Sequence, residues 1–271
     1  ILRTGQPGQA PEEEVIMNYD IKTKQKKIYK KSYATKKNPY LGISRAFYIN
    51  GKIFVNTLNR GSGGAGEIFN NEIVTSDEIG EFYGVFKKRK LVLGHAYGGL
   101  FLFDLNLLKV KFITKYPSQW STVVLSEDEF IYAERIQGKI KNNKYVKFWL
   151  YNIPNDKKIR LKKLENICEN IKLYRSKTKQ LICNSHTNKL ILIGIDGNNQ
   201  KHLNIKSNIP PTSLSLYYYN EKDDSFFYGD GAFSFFSFRE IKSLKSYSFK
   251  TKRSTMIEND LLVRSMDKIE Y

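Results

Sequence analysis

Short apolar runs alternate with polar turns along nearly the whole chain. One unit recurs: an apolar run, a few turn residues and a second apolar run, which is the pattern of a β-hairpin. The turns of six such units lie near positions 50, 88, 128, 178, 222 and 259. No stretch keeps a helical period of about 3.6 residues over several turns, so a mainly helical fold is excluded.

A second pair of runs follows most of these hairpins. Leu100–Asp104 leads to Val110–Ile113, and Phe148–Asn152 leads to Ile159–Leu161. In the fifth repeat the same pattern predicts a third strand at Phe233–Phe238 and a fourth at Leu244–Phe249. Four strands in a repeat of roughly 40–45 residues are typical of β-propeller blades.

The sequence therefore predicts an all-β protein, a single β-propeller of about six four-stranded blades, with seven as the alternative. The chain starts with a pair of outer-type strands and ends with an inner-type hairpin, at Met256-Ile257 and Leu261–Val263. Pairing of the N- and C-terminal strands would close the ring and leave no open sheet edge between the ends. Residues 15–271 are assigned to the propeller and residues 1–14 to a flexible tether.

Three strand-turn segments carry a resemblance to a known group of propellers. Tyr19–Lys24, Tyr151–Lys158 and Ile195–Asn198 each join an apolar residue to Asp or Asn and then to a turn. They resemble the turns that join the outer strands of blades in the TolB-like and NHL-like superfamily. The resemblance implies a six-bladed propeller but no particular family. Kelch repeats are rejected because glycine pairs occur only at Gly63-Gly64 and Gly98-Gly99, and the Trp-Asp dipeptide of WD repeats is absent.

Candidate binding residues come from the connections expected on one face of the propeller. In this architecture the loops after the second and fourth strands of each blade open on a common face. Exposed aromatic and basic side chains are frequent anchors of protein interfaces. The candidates in these connections are Tyr33, Lys36, Lys37, Tyr40, Tyr97, Gln119, Trp120, Arg135, Lys139 and Lys141.

Equivalent positions at the ends of the second strands form a predicted ring. Its members are Thr57, His95, Glu134, Ser185, Asp230 and Ser265. His95, Glu134 and Asp230 are candidates for a metal site or for acid–base chemistry at the channel mouth. Strand ends are also polar simply because they meet solvent, and serine at two positions favours that interpretation. The sequence thus predicts no cofactor and no catalytic residue.

The net charge of +18, from 45 Lys+Arg against 27 Asp+Glu, bears on the kind of partner. Such a field attracts acidic proteins, nucleic acids or anionic membranes. Lysines are spread over turn tips, where they also discourage pairing between sheet edges. The chain has no nucleic-acid reader motif, no apolar run of about 18 residues and no Gly-x-Ser-x-Gly elbow. An acidic protein partner is favoured over nucleic acid.

Three functions remain open from the sequence. The first is a non-catalytic protein-binding propeller, compatible with an inhibitor or immunity role. The second is a metal-dependent hydrolase or lactonase, and the third is a binder of polyanions. Export to the periplasm or the exterior is expected, because the polar opening segment starts at Ile1 and not at Met.

The pairing of Cys168 and Cys183 stays open, as a disulfide or as two thiols. A symmetric hairpin would place Cys183 opposite Lys172, and not opposite Cys168.

Overall fold

The computed structural model describes eleven stretches of the chain: residues 2–4, 13–19, 23, 25–30, 42–59, 62–69, 72–76, 78–136, 146–207, 209–229 and 243–259. Within them the protein is all-β, and its sheets are arranged as a β-propeller. One short helix, α1 (Lys162–Ile167), and two single 3₁₀ turns interrupt the strands.

Each sheet is a meander in which consecutive strands pair antiparallel. One sheet has three strands, β1 (Leu2–Thr4), β2 (Glu13–Tyr19) and β3 (Lys26–Lys30). The next has four, β4 (Gly42–Ile49), β5 (Lys52–Asn59), β6 (Ser62–Phe69) and β7 (Glu72–Ser76). The third comprises β8 (Ile79–Phe86), β9 (Leu91–Ala96), β10 (Gly99–Phe103) and β11 (Lys109–Thr114).

Three more four-stranded sheets complete the described part. They are β12 (Pro117–Val124), β13 (Glu129–Arg135), β14 (Val146–Asn152) and β15 (Lys157–Arg160); β16 (Cys168–Arg175), β17 (Gln180–Ser185), β18 (Leu190–Gly194) and β19 (Lys201–His202); and β20 (Ser215–Asn220), β21 (Ser225–Gly229), β22 (Ser243–Ser248) and β23 (Arg253–Asn259). The predicted ring of six closed blades stays a prediction, because residues 260–271 lie outside the described residues.

First strands of successive sheets lie side by side, as the inner strands of a propeller do. Strand β8 contacts β12, β12 contacts β16, and β16 contacts β20. The core lies between neighbouring sheets rather than within one sheet. One cluster, for example, joins Phe86 and Leu93 of one sheet to Phe130 and Tyr132 of the next. Burial of these faces is what the alternating apolar runs of the sequence supply.

The last described sheet corrects two strand assignments. Its third strand is β22 and its fourth is β23, so Leu244–Phe249 is a third strand and not a fourth. Met256 and Ile257, expected as the first strand of a sixth hairpin, lie in this fourth strand, and the second strand of that hairpin, Leu261–Val263, lies outside the described residues. The cause is the pairing of Tyr247 with Phe226, whose ring centroids lie 5.3 Å apart. The segment expected to hold the third strand, Phe233–Phe238, lies outside the described residues.

The N-terminal segment also differs from the expectation in one respect. Leu2–Thr4 pairs with Glu13–Val15 as strand β1, so this part of the expected tether lies in a sheet. The division into a tether and one propeller domain stays a prediction.

A disulfide joins Cys168 to Cys183. Two register shifts between β16 and β17, at Glu169 and at Lys172, place Cys183 opposite Ile171 and Cys168 opposite Ser185. The two cysteines are then two register positions apart, with a Cα–Cα distance of 5.9 Å, which lies within the range of protein disulfides. The expected position of Cys183 opposite Lys172 is wrong because a bulge removes Lys172 from the ladder.

Candidate binding face

The antiparallel order of the strands defines two opposite ends of the propeller. At one end, second strands finish, third strands begin, and each fourth strand leads to the next sheet. We call this end the loop face. It carries the turn after β9, the β11–β12 and β13–β14 connections, and the segment with α1. The other end carries the hairpins that join first to second strands, and we call it the hairpin face.

Tyr97 is the most exposed large hydrophobic side chain among the described residues, at 92%. It stands at the tip of the turn between β9 and β10, where its backbone N–H donates to the Glu78 carbonyl at 3.0 Å. Gly98 and Gly99 follow with positive φ values of 94° and 147°. A Cβ at Gly99 would lie 2.2 Å from the Thr114 carbonyl oxygen, so only glycine allows β10 to start this close to β11. The tight turn therefore projects Tyr97 into solvent.

Lys115 and Tyr116 lie on the same face, in the short connection between β11 and β12. The Lys115 Nζ atom is 5.4 Å from the centroid of the Tyr116 ring, within the range of a cation–π contact. The Tyr116 carbonyl accepts a hydrogen bond from the backbone N–H of Arg135 at 2.9 Å. The end of β13 is thereby fixed against this connection.

Arg135 in turn lies close to His95, the last but one residue of β9. Burial lowers the pKa of His95, and the positive charge of Arg135 lowers it further. His95, Lys115, Tyr116 and Arg135 thus connect two neighbouring sheets on the loop face, where Tyr97 also lies. We call these five residues the aromatic–basic cluster. In the described part of the chain neither Lys115 nor Arg135 forms an ion pair, so both charges face solvent.

Glu134 lies under this cluster and is held by hydrogen bonds. One carboxylate oxygen accepts from the Thr114 hydroxyl, and the other accepts from the Trp149 indole N–H at 2.8 Å. Thr114 belongs to β11 and Trp149 to β14, so Glu134 ties the end of one sheet to the next. The Lys158 Nζ atom lies 5.1 Å from the Trp149 ring centroid and covers its other side.

The structure describes only some members of the predicted ring. His95, Glu134 and Ser185 lie at the ends of the second strands β9, β13 and β17, while Asp230 and Ser265 lie outside the described residues. Thr57 is on β5, and only its backbone is described. Nowhere in the described ranges do three or more His, Cys, Asp or Glu side chains form a group that could hold a metal ion.

The predicted binding residues divide in the same way. Tyr97 and Arg135 both lie on the loop face, together with Lys115 and Tyr116, which the sequence prediction did not include. Gln119 and Trp120 belong to strand β12 and not to a loop as expected, and their side chains are outside the description. Six candidates lie outside the described residues altogether: Tyr33, Lys36, Lys37, Tyr40, Lys139 and Lys141.

One segment beyond the candidates was missed by sequence reasoning. Glu165 of α1 is buried, and its two oxygens accept from Arg160 Nε and Nη2, each at 2.8 Å. His186 Nε2 lies 3.1 Å from the Glu165 carbonyl oxygen, which fixes the helix to the end of β17. The only signal in the sequence was the pair Arg160 and Glu165, five residues apart.

Comparisons with known proteins show the fold alone. No protein-family model matches the chain, and no curated protein sequence matches it significantly. An oligogalacturonate lyase in complex with manganese has a TM-score of 0.51 at 13% identity, over 93% of this chain and 74% of that one. The oligogalacturonate lyase of Vibrio parahaemolyticus gives 0.50 at 10% identity, over 93% and 73%.

A protein complex is among the similar structures as well. The complex of KlAtg21 with the coiled-coil of AgAtg16 gives a TM-score of 0.57 at 9% identity, over 96% of this chain and 86% of that one. Enzymes and protein-binding domains therefore share this architecture, so a function for this chain has to be argued from its own residues. Within the described part of the chain, no helix is both long and apolar enough to cross a membrane.

Proposed function

We propose that this chain is a non-catalytic, protein-binding β-propeller whose loop face takes an acidic protein partner. The observation that carries the proposal is the aromatic–basic cluster, in which the exposed ring of Tyr97 lies on the same face of the propeller as the charges of Lys115 and Arg135. Tyrosine and arginine are enriched at the energetic centres of protein interfaces. A face with two exposed cations that pair with none of the described carboxylates favours a partner of opposite charge. Opposite charge raises the rate of association more than the affinity.

The remaining predicted residues belong to the same proposal. The other candidates come from connections that the sequence predicts on the same face. The proposed additional contacts are Tyr33, Lys36, Lys37, Tyr40, Gln119, Trp120, Lys139 and Lys141. We also propose that the ring has six blades and that a strand from residues 260–271 completes the three-stranded sheet. The likeness to TolB-like propellers supports that count, as does the spacing of the turns.

The disulfide supports a further part of the proposal, that the protein is exported. Disulfides form and persist mainly in oxidising compartments such as the periplasm and the exterior. Cys168 and Cys183 are both fully buried, where the bond is protected from soluble reductants. An exported binding module of inhibitor or immunity type fits these features.

Affinity capture tests the proposed function. The purified chain serves as bait at about 0.15 M salt and again at several-fold higher salt, where exposed charges are screened. We expect one stoichiometric protein that survives the higher salt and is lost with Tyr97→Ala or Arg135→Glu. Lys222→Glu, an exposed change on the hairpin face, is the matched control and should retain it.

The other outcomes separate the alternatives. Capture of salt-labile polyanions alone would point to general charge and overturn the protein-binding proposal. Retention of the partner by both Tyr97→Ala and Arg135→Glu would place its site elsewhere. If no partner is captured and stoichiometric metal is found instead, the hydrolase hypothesis replaces ours, with His95, Glu134 and Asp230 as the residues to substitute.

A further inference from the structure

Three turns at the hairpin end of the propeller lie together where the last two described sheets meet. They are the turn at 176–179 between β16 and β17, the turn at 221–224 between β20 and β21, and the turn at 249–252 between β22 and β23. The last of them joins a third strand to a fourth. It opens at the same end as the other two, because successive strands of the sheet run in opposite directions.

Contacts to Asp224 hold the three turns together. The Phe249 backbone N–H donates to the Asp224 carbonyl at 3.0 Å, which ties the third turn to the second. Arg175, directly before the first turn, pairs with the Asp224 carboxylate, and its guanidinium carbon lies 4.0 Å from the centroid of the Phe249 ring. The turns therefore form one surface that spans two sheets.

Six exposed cations belong to this surface. Five lie on the turns and one begins β23: Lys177, Lys179, Lys222, Lys250, Lys252 and Arg253. We call these six residues the basic patch. The exposed carboxylates on the same turns are Glu221 and Asp223, since Asp224 is occupied by Arg175. The surface thus carries a clear excess of positive charge.

The basic patch differs from other cations near this end of the propeller in its lack of ion pairs. Arg89 pairs with Asp128, and Lys111 pairs with Asp156, in both cases between neighbouring sheets. None of the six cations in the basic patch pairs with a carboxylate of the described residues. Exposed charges of one sign without counter-ions produce a local potential that attracts a polymer of the opposite sign.

The chemistry of the turns narrows the class of polymer. None of the large apolar side chains that are exposed in the described part of the chain lies on them, so they offer no such group to a bilayer. Phe249 is the one aromatic residue in these turns, and its ring is covered by Arg175 and packs against Phe226. It is therefore not free to stack on a nucleic-acid base. Charge is the main means of recognition that the turns provide.

We propose that the basic patch binds a linear acidic polysaccharide, whose sulfate or carboxylate groups pair with its cations. Three of the four residues at 250–253 are basic, and short segments rich in Lys and Arg are frequent in patches that bind heparin or nucleic acid. A polymer with charges on successive sugar units can contact several turns at once without entering a cleft. The choice of a polysaccharide also rests on the proposed export, because such polymers surround cells.

Binding of defined oligosaccharides to the intact protein tests this inference. The probe is a fluorescein-labelled heparin octasaccharide, long enough to reach across the two turns of the last sheet, which lie about 10 Å apart. A polyuronate octasaccharide carries carboxylates without sulfates, and a neutral maltooctaose is the uncharged control. At about 0.15 M salt we expect fluorescence anisotropy to show binding of the acidic oligosaccharides but not of the neutral one. The tighter of the two acidic ligands identifies the preferred group.

Matched charge reversals separate the basic patch from the general charge of +18. The patch variant changes one lysine on each turn: Lys177→Glu, Lys222→Glu and Lys252→Glu. The control variant changes three exposed lysines outside the turns and alters the net charge by the same amount: Lys189→Glu, Lys201→Glu and Lys206→Glu.

We expect the patch variant to bind the tighter oligosaccharide about tenfold more weakly, and the control variant to lose less than about threefold, because only the first removes direct ion pairs. The salt dependence of binding should also become shallower in the patch variant alone. Circular dichroism checks that both variants are folded. Should the patch variant unfold, Lys222→Gln with Lys252→Gln serves, with a smaller loss expected.

Three results would overturn the inference. Equal losses in the two variants would assign binding to general charge, and no binding of either acidic oligosaccharide would leave the basic patch without this ligand. Tighter patch-dependent binding of a DNA duplex or of phosphatidylserine vesicles would assign it to another polyanion. The loop-face proposal is tested independently, because Tyr97→Ala should leave oligosaccharide binding unchanged and the patch variant should still capture the protein partner.

Discussion

The disulfide between Cys168 and Cys183 depends on single residues that are bulged out of the strand ladder, and the spacing of the cysteines in the sequence does not reveal it. Each register shift in β16 moves Cys168 one step nearer to Cys183. Neither Glu169 nor Lys172 carries a sequence signal for a bulge, since bulges of this kind depend on how the inner strand packs against its neighbours. The pair was therefore left open by the sequence and is settled only by the backbone geometry.

Removal of this disulfide should destabilise the protein. The sequence separation between the cysteines is 15 residues, and a closed loop of that size corresponds to about 3 kcal/mol in the chain-entropy account. We expect Cys168→Ala with Cys183→Ala to lower the free energy of unfolding by about that amount, measured by guanidinium denaturation. A loss below about 1 kcal/mol would contradict the assignment, because the native bond would then constrain little.

His95 provides a second prediction for a single residue. Burial and the nearby Arg135 charge hold its pKa below 6.5, so folding disfavours the protonated ring. Its contribution to stability is complete above the unfolded pKa and is lost as the pH falls through the lower, folded pKa. NMR titration should give a pKa below 6.5, and Arg135→Gln should raise it. An unchanged pKa in that variant would separate His95 from the cluster.

At the scale of elements, bulged first strands and cross-sheet contacts organise the propeller. The first strands β4, β8, β12, β16 and β20 each lose register against the second strand of their own sheet. Side chains near these irregularities reach the next sheet. The Asn56 side-chain amide makes two hydrogen bonds to the backbone of Phe82. It donates to the Phe82 carbonyl at 2.8 Å and accepts from the Phe82 N–H at 2.6 Å. Lys172 donates to the carbonyls of Thr212 and Leu214 at 2.7 and 2.9 Å.

The clearest of the contacts on the hairpin face is the ion pair of Arg175 with Asp224. Arg175 Nε donates to Asp224 Oδ1 at 2.7 Å, and the Tyr219 hydroxyl donates to the same oxygen at 2.9 Å. The guanidinium carbon lies 4.0 Å from the centroid of the Phe249 ring. Both side chains are largely buried, at 13% and 14% exposure. The pair thus joins the end of β16 to the hairpin of the following sheet.

Breaking this pair should lower stability more than breaking an exposed one. Asp224→Asn leaves the Arg175 charge partly buried without its partner, and we expect a loss of about 2 kcal/mol by guanidinium denaturation. Asp128→Asn is the matched control, since Asp128 accepts from Arg89 Nε at 2.8 Å but is 52% exposed. The control should lose less than about 1 kcal/mol. Equal losses would contradict the importance of burial at Asp224.

The same pair predicts a pH dependence. Hydrogen bonds from Arg175 hold the pKa of the Asp224 carboxyl below its ordinary value. The stabilisation is therefore fully present above the ordinary pKa of about 4 and is lost as the pH falls through the lower, folded value. Unfolding measured across that acidic range should show a shallower loss of stability for Asp224→Asn than for the unchanged protein. Parallel curves would assign the acid sensitivity to other carboxylates.

Strand prediction from pattern succeeded where apolar runs were bounded by turn residues. The hairpin turns at Asn50-Gly51, at 87–90 and at 221–224 lie where the sequence indicated. The glycine-rich stretch after Asn59 carries no strand signal, yet it forms β6 from Ser62 onward. Pairing with β5 overrides the poor strand propensity of glycine there. Strand β22 was misassigned because its aromatic pairing with β21 spans a long intervening segment.

At the scale of the whole molecule, the regular cadence of four strands made the architecture predictable, whereas the blade count was not settled. Five described sheets have four strands and one has three. The candidate binding face was predictable as a face, because propeller loops alternate in a fixed way along the chain. The residues that form this face were less predictable, since the sequence does not show that Tyr116, Arg135 and His95 meet across two sheets.

Hydrogen exchange on the captured complex tests the central claim, that the loop face is where this protein binds its partner. Amide exchange would be compared with and without the partner at the same salt concentration. Our account predicts slowed exchange in the turn at 96–99, in the connection at 114–117 and at Arg135, with the hairpins at 87–90 and 221–224 unchanged. Protection of those hairpins, with the aromatic–basic cluster unaffected, would contradict it and place the partner on the hairpin face.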